Sequence, residues 1–227
     1  MIQRTIRIFA AMALAAISVA ASPPHPNWNA TVSTGPQGAF TLGNPDAKVK
    51  LTEYVSYTCS HCADFHKQAD TALRLTYVPQ GKVSVTVQQM LRNPIDLTIA
   101  MLTNCGDPKQ FFARHNAFMG SQDQWLGKMD GFTKAQTARW ATGPVPTRLR
   151  AIASDFDFYT IMAHRGFSRP QVDQCLGDAA VLKRVEGQTT AAVALGIDST
   201  PSFALDGQVL AGTHEWKLLL PQIEAKL

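Results

Sequence analysis

A chain of 227 residues that is 45% apolar can bury a full core as one domain, with room for an insertion. Its 21 basic and 17 acidic residues give a formal charge of +4; setting aside Arg4 and Arg7 at the extreme N-terminus leaves 19 against 17, or +2. That balance is not a nucleic-acid footprint, and no run of like charges suggests a polyanionic partner.

Residues 1–21 read as a secretory signal peptide. Arg4 and Arg7 precede an apolar stretch, 8–20, that is too short to span a membrane comfortably. Ser18 and Ala20 suit cleavage after Ala20, and Val19 with Ala21 suits cleavage one residue later; an uncleaved anchor is the alternative. Export would bring the chain to a compartment where disulfides persist, and its four cysteines form an even set.

Residues 22–39, with Pro23, Pro24, Pro26 and Pro36, read as an irregular leader. Phe40, Thr41 and Leu42 suggest a short edge strand, followed by a turn at Gly43-Asn44-Pro45-Asp46. The run Val49–Val55 predicts a strand, and residues 63–77 a helix with Phe65, Ala69 and Leu73 on one face. After a turn at Gln80-Gly81, Val83, Val85 and Val87 alternate with polar residues as a second strand. A strand–helix–strand unit implies parallel pairing with a right-handed crossover. Residues 40–92 thus form the first part of the fold.

From 93 to 178 the strand signals vanish. Asp107-Pro108 opens a helix through Phe111, Phe112, His115 and Phe118; Thr133 caps another; and a pattern through Leu149, Ile152, Phe156, Tyr159 and Ile161 follows the break at 143–146. Ser168 with Pro170 starts a short helix carrying Cys175. This block is too long and periodic to be a loop, so it reads as an all-helical insertion with its aromatics as core. The second part of the fold, 179–227, comprises a helix ending at Gly196, the step Thr200-Pro201, a hairpin turning at Asp206-Gly207, and a closing helix. That order is an α/β thioredoxin fold interrupted by helices.

Between the first strand and helix lies Cys59-Ser60-His61-Cys62. A Cys-x-x-Cys pair at such a junction is redox chemistry with a mechanical cause. The first thiol sits at a helix N-terminus, where unpaired N–H groups and the macrodipole favour an anion, and the thiolate is the attacking species in disulfide exchange. Cys59 is the expected nucleophile, with His61 able to donate to its sulfur, and Cys62 the shielded resolving partner. Glu53 shares its strand face with Val49, Leu51 and Val55, so its carboxyl is expected to be buried near the cysteines with a raised pKa; the alternative is a strand-end glutamate reaching solvent. Zinc would need a second ligand pair, and Cys105 and Cys175 are isolated singles, so no metal is expected. His66 reads as an ordinary helix residue, and His115, His164 and His214 carry no role.

Tyr57-Thr58-Cys59-Ser60-His61-Cys62, Glu53 six residues earlier, and Thr200-Pro201 before a hairpin resemble the DsbA-like periplasmic thiol:disulfide oxidoreductases. The resemblance runs from about Phe40 onward; such proteins more usually carry Pro-His between the cysteines, where this chain has Ser60-His61. It implies a cis bond before Pro201 packed against the redox pair, and a substrate-facing edge of Ser60, Thr200 and Pro201. It also implies proton transfer between Glu53 and Cys62, with no cofactor beyond the Cys59–Cys62 disulfide. Its implied partners are reduced exported polypeptides and a quinone-linked membrane reoxidant of the DsbB type, in the periplasm. A disulfide isomerase or reductase, and a copper-binding thiol module, are the alternatives. Cys105 and Cys175 form an even leftover pair that suits a structural disulfide; two free buried thiols or a second redox pair are the other options.

Overall fold

The computed structural model describes residues 26–227, so the expected signal peptide and the first part of the leader lie outside the described residues. Six strands form one mixed sheet: β1 (Val32–Thr34), β2 (Phe40–Leu42), β3 (Val49–Val55), β4 (Val83–Gln89), β5 (Ser202–Leu205) and β6 (Gln208–Val209). Their spatial order is β1-β2-β4-β3-β5-β6. Only β3 and β4 run parallel, in the register Glu53↔Val87, joined by the crossover helix α1 (Ser60–Ala72). The other pairs are antiparallel.

The leader departs from the expectation. Val32, Ser33 and Thr34 pair with Leu42, Thr41 and Phe40, so β2 lies inside the sheet and β1 takes the edge. Three residues are too few for alternation to announce a strand. The Asp206-Gly207 turn has positive φ at both residues, the conformation a two-residue hairpin requires, and sets Leu205 against Gln208.

Between β4 and the long helix α9 (Ala179–Ala194) come seven helices: α2 (Pro94–Thr103), α3 (Phe111–Gly120), α4 (Gln122–Leu126), α5 (Lys134–Arg139), α6 (Val145–Asp155), α7 (Phe158–Ala163) and α8 (Arg169–Cys175). A last helix, α10 (Trp216–Glu224), closes the chain. The apolar pattern that reads as one helix through Ile161 is broken at Asp157, whose φ of 64° is left-handed; aspartate tolerates that conformation better than most residues. Phe118, Trp125, Phe156 and Phe158 interlock as ring pairs in the centre of this block, so its aromatics are core.

The helices are fastened to the sheet by side chains that satisfy buried backbone. Gln188 of α9 accepts from the Gln89 N–H, and its carbonyl accepts from Gln88 Nε2. Arg114, 2% exposed, donates from Nε to the Thr103 carbonyl at 2.9 Å and from Nη2 to the Asp107 carbonyl at 3.0 Å. Desolvation lowers its pKa to about 10, and two main-chain carbonyls, that of Thr103 at the C-terminus of α2 and that of Asp107 beyond it, take its hydrogen bonds in place of a carboxylate. Between those two anchors Cys105 is joined to Cys175, with the Cα atoms 5.5 Å apart.

The crosslink closes a loop of sequence separation 70. Replacing both cysteines with alanine is expected to lower the unfolding free energy by about 4 kcal/mol in the chain-entropy account, read from urea unfolding. A loss below about 1 kcal/mol would mean that the Arg114 anchors already hold α2 without the bridge.

Candidate functional site

The site is built where β3 ends and α1 begins. Cys59 is the N-cap of α1, with extended φ and ψ of −88° and 116°, so the helix starts at Ser60 rather than at Ala63. Cys59 and Cys62 are both free thiols. The first is 5% exposed and the second 0%, so Cys59 reaches solvent only through a small opening. Ser60 and His61 beside it are exposed.

The covering loop carries Thr200 and Pro201, joined by a cis bond. Cys59 Sγ donates to the Thr200 main-chain carbonyl at 3.2 Å, and the buried Thr200 hydroxyl has no hydrogen-bond partner among the described residues. His214, given no role by its sequence context, donates from Nδ1 to the Pro201 carbonyl at 2.8 Å and fixes this loop.

The two sulfurs sit in opposed electrostatic surroundings. Cys59 is lowered to a pKa of about 5, first by the Cys62 thiol and then by the Thr200 side chain and the main-chain N–H groups of Cys62 and His61, against the opposing effect of burial. His61 therefore acts through its backbone; its ring is not among these partners. Cys62 is pushed well above the usual thiol value by burial, by its hydrogen bond to the Cys59 sulfur and by the Glu53 carboxyl. Glu53, 6% exposed, is raised to about 8 by desolvation and by Asp70.

Two groups that the sequence reading missed hold the loop before Cys59. Asp96, fully buried in the first turn of α2, accepts from the Thr58 N–H at 2.8 Å, from Ser56 Oγ at 2.9 Å and from the Arg92 N–H at 2.9 Å. Gln122 of α4 donates from Nε2 to the carbonyls of Tyr57 and Cys59 at 2.6 and 2.9 Å. The only signal for Asp96 was its place three residues after the helix cap Asn93, where an acidic residue ordinarily serves its own helix. Tyr57 in turn reaches Thr103 at 3.2 Å and His115 Nδ1 at 3.0 Å. Ser60 and His61 sit on the exposed rim of the same turn, whereas Cys105 and Cys175 belong to the helical block. Among the described residues no group of three or more His, Cys, Asp or Glu is placed to hold a metal ion, and no helix is long and apolar enough to cross a membrane.

This arrangement can exchange disulfides. An ionised sulfur at a helix N-terminus attacks or is attacked, and a protonated partner behind it closes or opens the ring.

Residues 36–225 match the family model described as thioredoxin. A solved protein-disulfide isomerase from Novosphingobium aromaticivorans is 47% identical, with a TM-score of 0.79 over 82% of this chain and 95% of that one. Wolbachia pipientis alpha-DsbA1, 21% identical, superposes with a TM-score of 0.65 over 82% of this chain and 88% of its own, and shows the same fold. A Rickettsia typhi protein named "Putative protein-disulfide oxidoreductase" is 36% identical over 87 residues, which are 38% of this chain and 32% of that relative. The matched segment thus spans about a third of that relative. The chain belongs to the thioredoxin family and has a thioredoxin fold with a helical insertion.

Proposed function

We propose that this protein introduces disulfides into exported polypeptides in the periplasm, with Cys59 as the nucleophilic sulfur, Cys62 as its resolving partner and Glu53 as the proton carrier for Cys62. The observation that carries the reading is the opposition of the two sulfurs: Cys59 is held near a pKa of 5 while Cys62 is held neutral. In the oxidised protein a substrate thiolate attacks Cys59 Sγ, a mixed disulfide forms, and the Cys59–Cys62 bond breaks. Cys62 leaves as a thiolate and takes a proton from Glu53. A second substrate thiolate then attacks the substrate sulfur of the mixed disulfide and expels Cys59, a good leaving group because its thiolate is favoured. The substrate has lost two electrons and the protein holds one thiolate and one thiol.

The edge formed by Ser60, Thr200 and Pro201 suits an extended substrate segment, since main-chain groups beside a reactive sulfur can pair with a strand. Cys105–Cys175 serves as a structural crosslink. Turnover as an oxidase needs an external oxidant, for which a quinone-linked membrane protein of the DsbB type is the proposed partner. The isomerase reading is favoured by the 47% identity to the Novosphingobium protein of that name; it uses the same two sulfurs with the pair kept reduced.

The reduction potential separates the two. A stabilised Cys59 thiolate favours the reduced product, so equilibration with glutathione should give a value above about −180 mV, the protein disulfide isomerase value; a value near about −270 mV, that of thioredoxin, would defeat the oxidase reading. In the same protein, alkylation of Cys59 should follow a single ionisation centred near pH 5.

The opposed shifts of Cys59 and Glu53 also set the pH dependence of stability in the reduced state. Cys59 is protonated in the unfolded chain up to about 9 and ionised in the folded one above about 5, so it adds stability as pH rises across that window and loses it as pH falls towards 5. Glu53 is ionised in the unfolded chain above about 4.5 but protonated in the folded one up to about 8, so it subtracts stability as pH rises over that window. Between pH 5 and 8 the two slopes offset. Glu53→Gln should therefore steepen the rise of stability with pH by up to about 1.4 kcal/mol per pH unit relative to the wild type, measured by urea unfolding of the reduced protein across that range.

A further inference from the structure

We infer that, given the Glu53–Cys62 proton exchange proposed above, the cavity between α1 and α3 is the port through which Glu53 trades protons with solvent, and that His66 and Asp70 carry them. The reason for a port is chemical. Glu53 lies on the buried face of β3 with Val49, Leu51 and Val55, and it is shifted by burial and by Asp70, with no hydrogen bond among the described residues. A carboxyl that serves Cys62 in both directions must be recharged after every exchange, and a closed apolar site would strand the proton or leave an unpaired buried charge.

A cavity of about 30 Å³ opens beside Glu53, lined on its polar side by Glu53, His66, Asp70, Arg74, His115 and Asn116. That volume holds at least one water. His66, Asp70 and Arg74 recur at intervals of four along the α1 face and its π-helical continuation, Leu73–Tyr77. All three are half-buried, whereas His115 on α3 is buried. Asn116 Nδ2 sits 3.4 Å from both Asp70 oxygens, while Asn116 Oδ1 and Arg74 Nη1 are buried without a partner among the described residues. Unpaired polar atoms of both kinds around a small void are the surroundings in which a bridging water is stable.

The histidines differ in what they can do. Tyr57 spends its proton on Thr103 Oγ1, which itself donates to the Ala100 carbonyl, so His115 must donate from Nδ1 to the Tyr57 oxygen. That leaves His115 Nε2 as an acceptor on a ring kept neutral by burial and by His66, 5.6 Å away between ring centroids. His66, only half-buried, stands between the cavity and solvent; burial lowers its pKa, with Arg74 adding to that and Asp70 opposing it. The ionisable groups facing Glu53 are thus Asp70, His66 and Arg74 from the helix side, His115 from α3, and Tyr57 and Cys62 from the active turn.

The test follows the step that consumes the proton path. Reduced full-length protein is mixed with oxidised glutathione: Cys59 is glutathionylated, then Cys62 gives its proton to Glu53, attacks Cys59 Sγ and expels glutathione thiolate. The His66→Gln/Asp70→Asn double variant should slow this second, resolving phase by about a hundredfold, at the low end of what a positioned proton carrier supplies. The rate should become dependent on buffer concentration, and added imidazole should restore it. In Asp70→Asn alone, the midpoint of the resolving phase should move to lower pH, because a neighbouring negative charge is gone. The port is overturned if the double variant resolves at the wild-type rate in dilute buffer, or slows without imidazole rescue. Glu53→Gln separates the two levels. An unimpaired resolving phase in that variant defeats the Glu53 assignment itself, whereas a slow Glu53→Gln with an unimpaired double variant defeats only the port.

Discussion

Two sulfurs a single helical turn apart must be held in opposite protonation states. The helix start supplies half of this: the Cys62 and His61 N–H groups face Cys59, and its sulfur lies where anions are favoured. The other half is supplied from behind, where Cys62 is completely buried and faces a carboxyl rather than a cation. Neither condition would suffice alone. A turn that ionised both thiols would repel itself, and one that ionised neither would lack a nucleophile at neutral pH.

The helical insertion bears on this balance directly. Asp96 from α2 and Gln122 from α4 take up the hydrogen-bonding groups of Ser56, Tyr57, Thr58 and Cys59. The backbone leading into the reactive turn is thereby fixed from outside the sheet, and the orientation of the helix's first N–H groups towards the sulfur follows from it. Asp96 is itself raised by burial, with hydrogen bonds from the Arg92 and Thr58 main chain and from the Ser56 and Thr58 side chains opposing the shift. A buried carboxylate of this kind is tolerated because its oxygens are saturated. Removal of the insertion would leave the Cys-x-x-Cys sequence intact and its geometry unsupported.

Much of this was legible in the residues, and the gaps have physical causes. The parallel pair, the crossover helix, the Asp206-Gly207 hairpin and the capped ends at Thr133, Ser168 and Gly196 follow local rules that a sequence carries openly. What escaped were the contacts between distant segments. Asp96 and Gln122 drew no reading at all, His66 passed for an ordinary helix residue and His115 for a scattered histidine, because the 49 residues between α1 and α4 leave no periodic trace of where the helical block meets the turn. His61 misled in the opposite way: its place in the motif suggested a ring beside the sulfur, but α1 begins one residue after Cys59 and turns that ring outward, leaving only the main chain in contact.

The buried carboxyl links the electrostatics of the pair to the shape of the fold behind it. Holding Cys62 neutral is easiest in a dry interior, yet a dry interior gives its proton nowhere to go. The structure places the conflict at one residue. Glu53 is buried enough to stay protonated to about pH 8, and Asp70 reinforces that by its negative charge. Asp70 is also the residue that joins Asn116 across the cavity, so the group that keeps the proton on Glu53 lines the polar void beside it. A carboxyl made reluctant to ionise by its neighbour is a poor base unless that neighbour also offers the proton an exit, and the stripe of His66, Asp70 and Arg74 on α1 and its continuation satisfies both requirements with a single helical face.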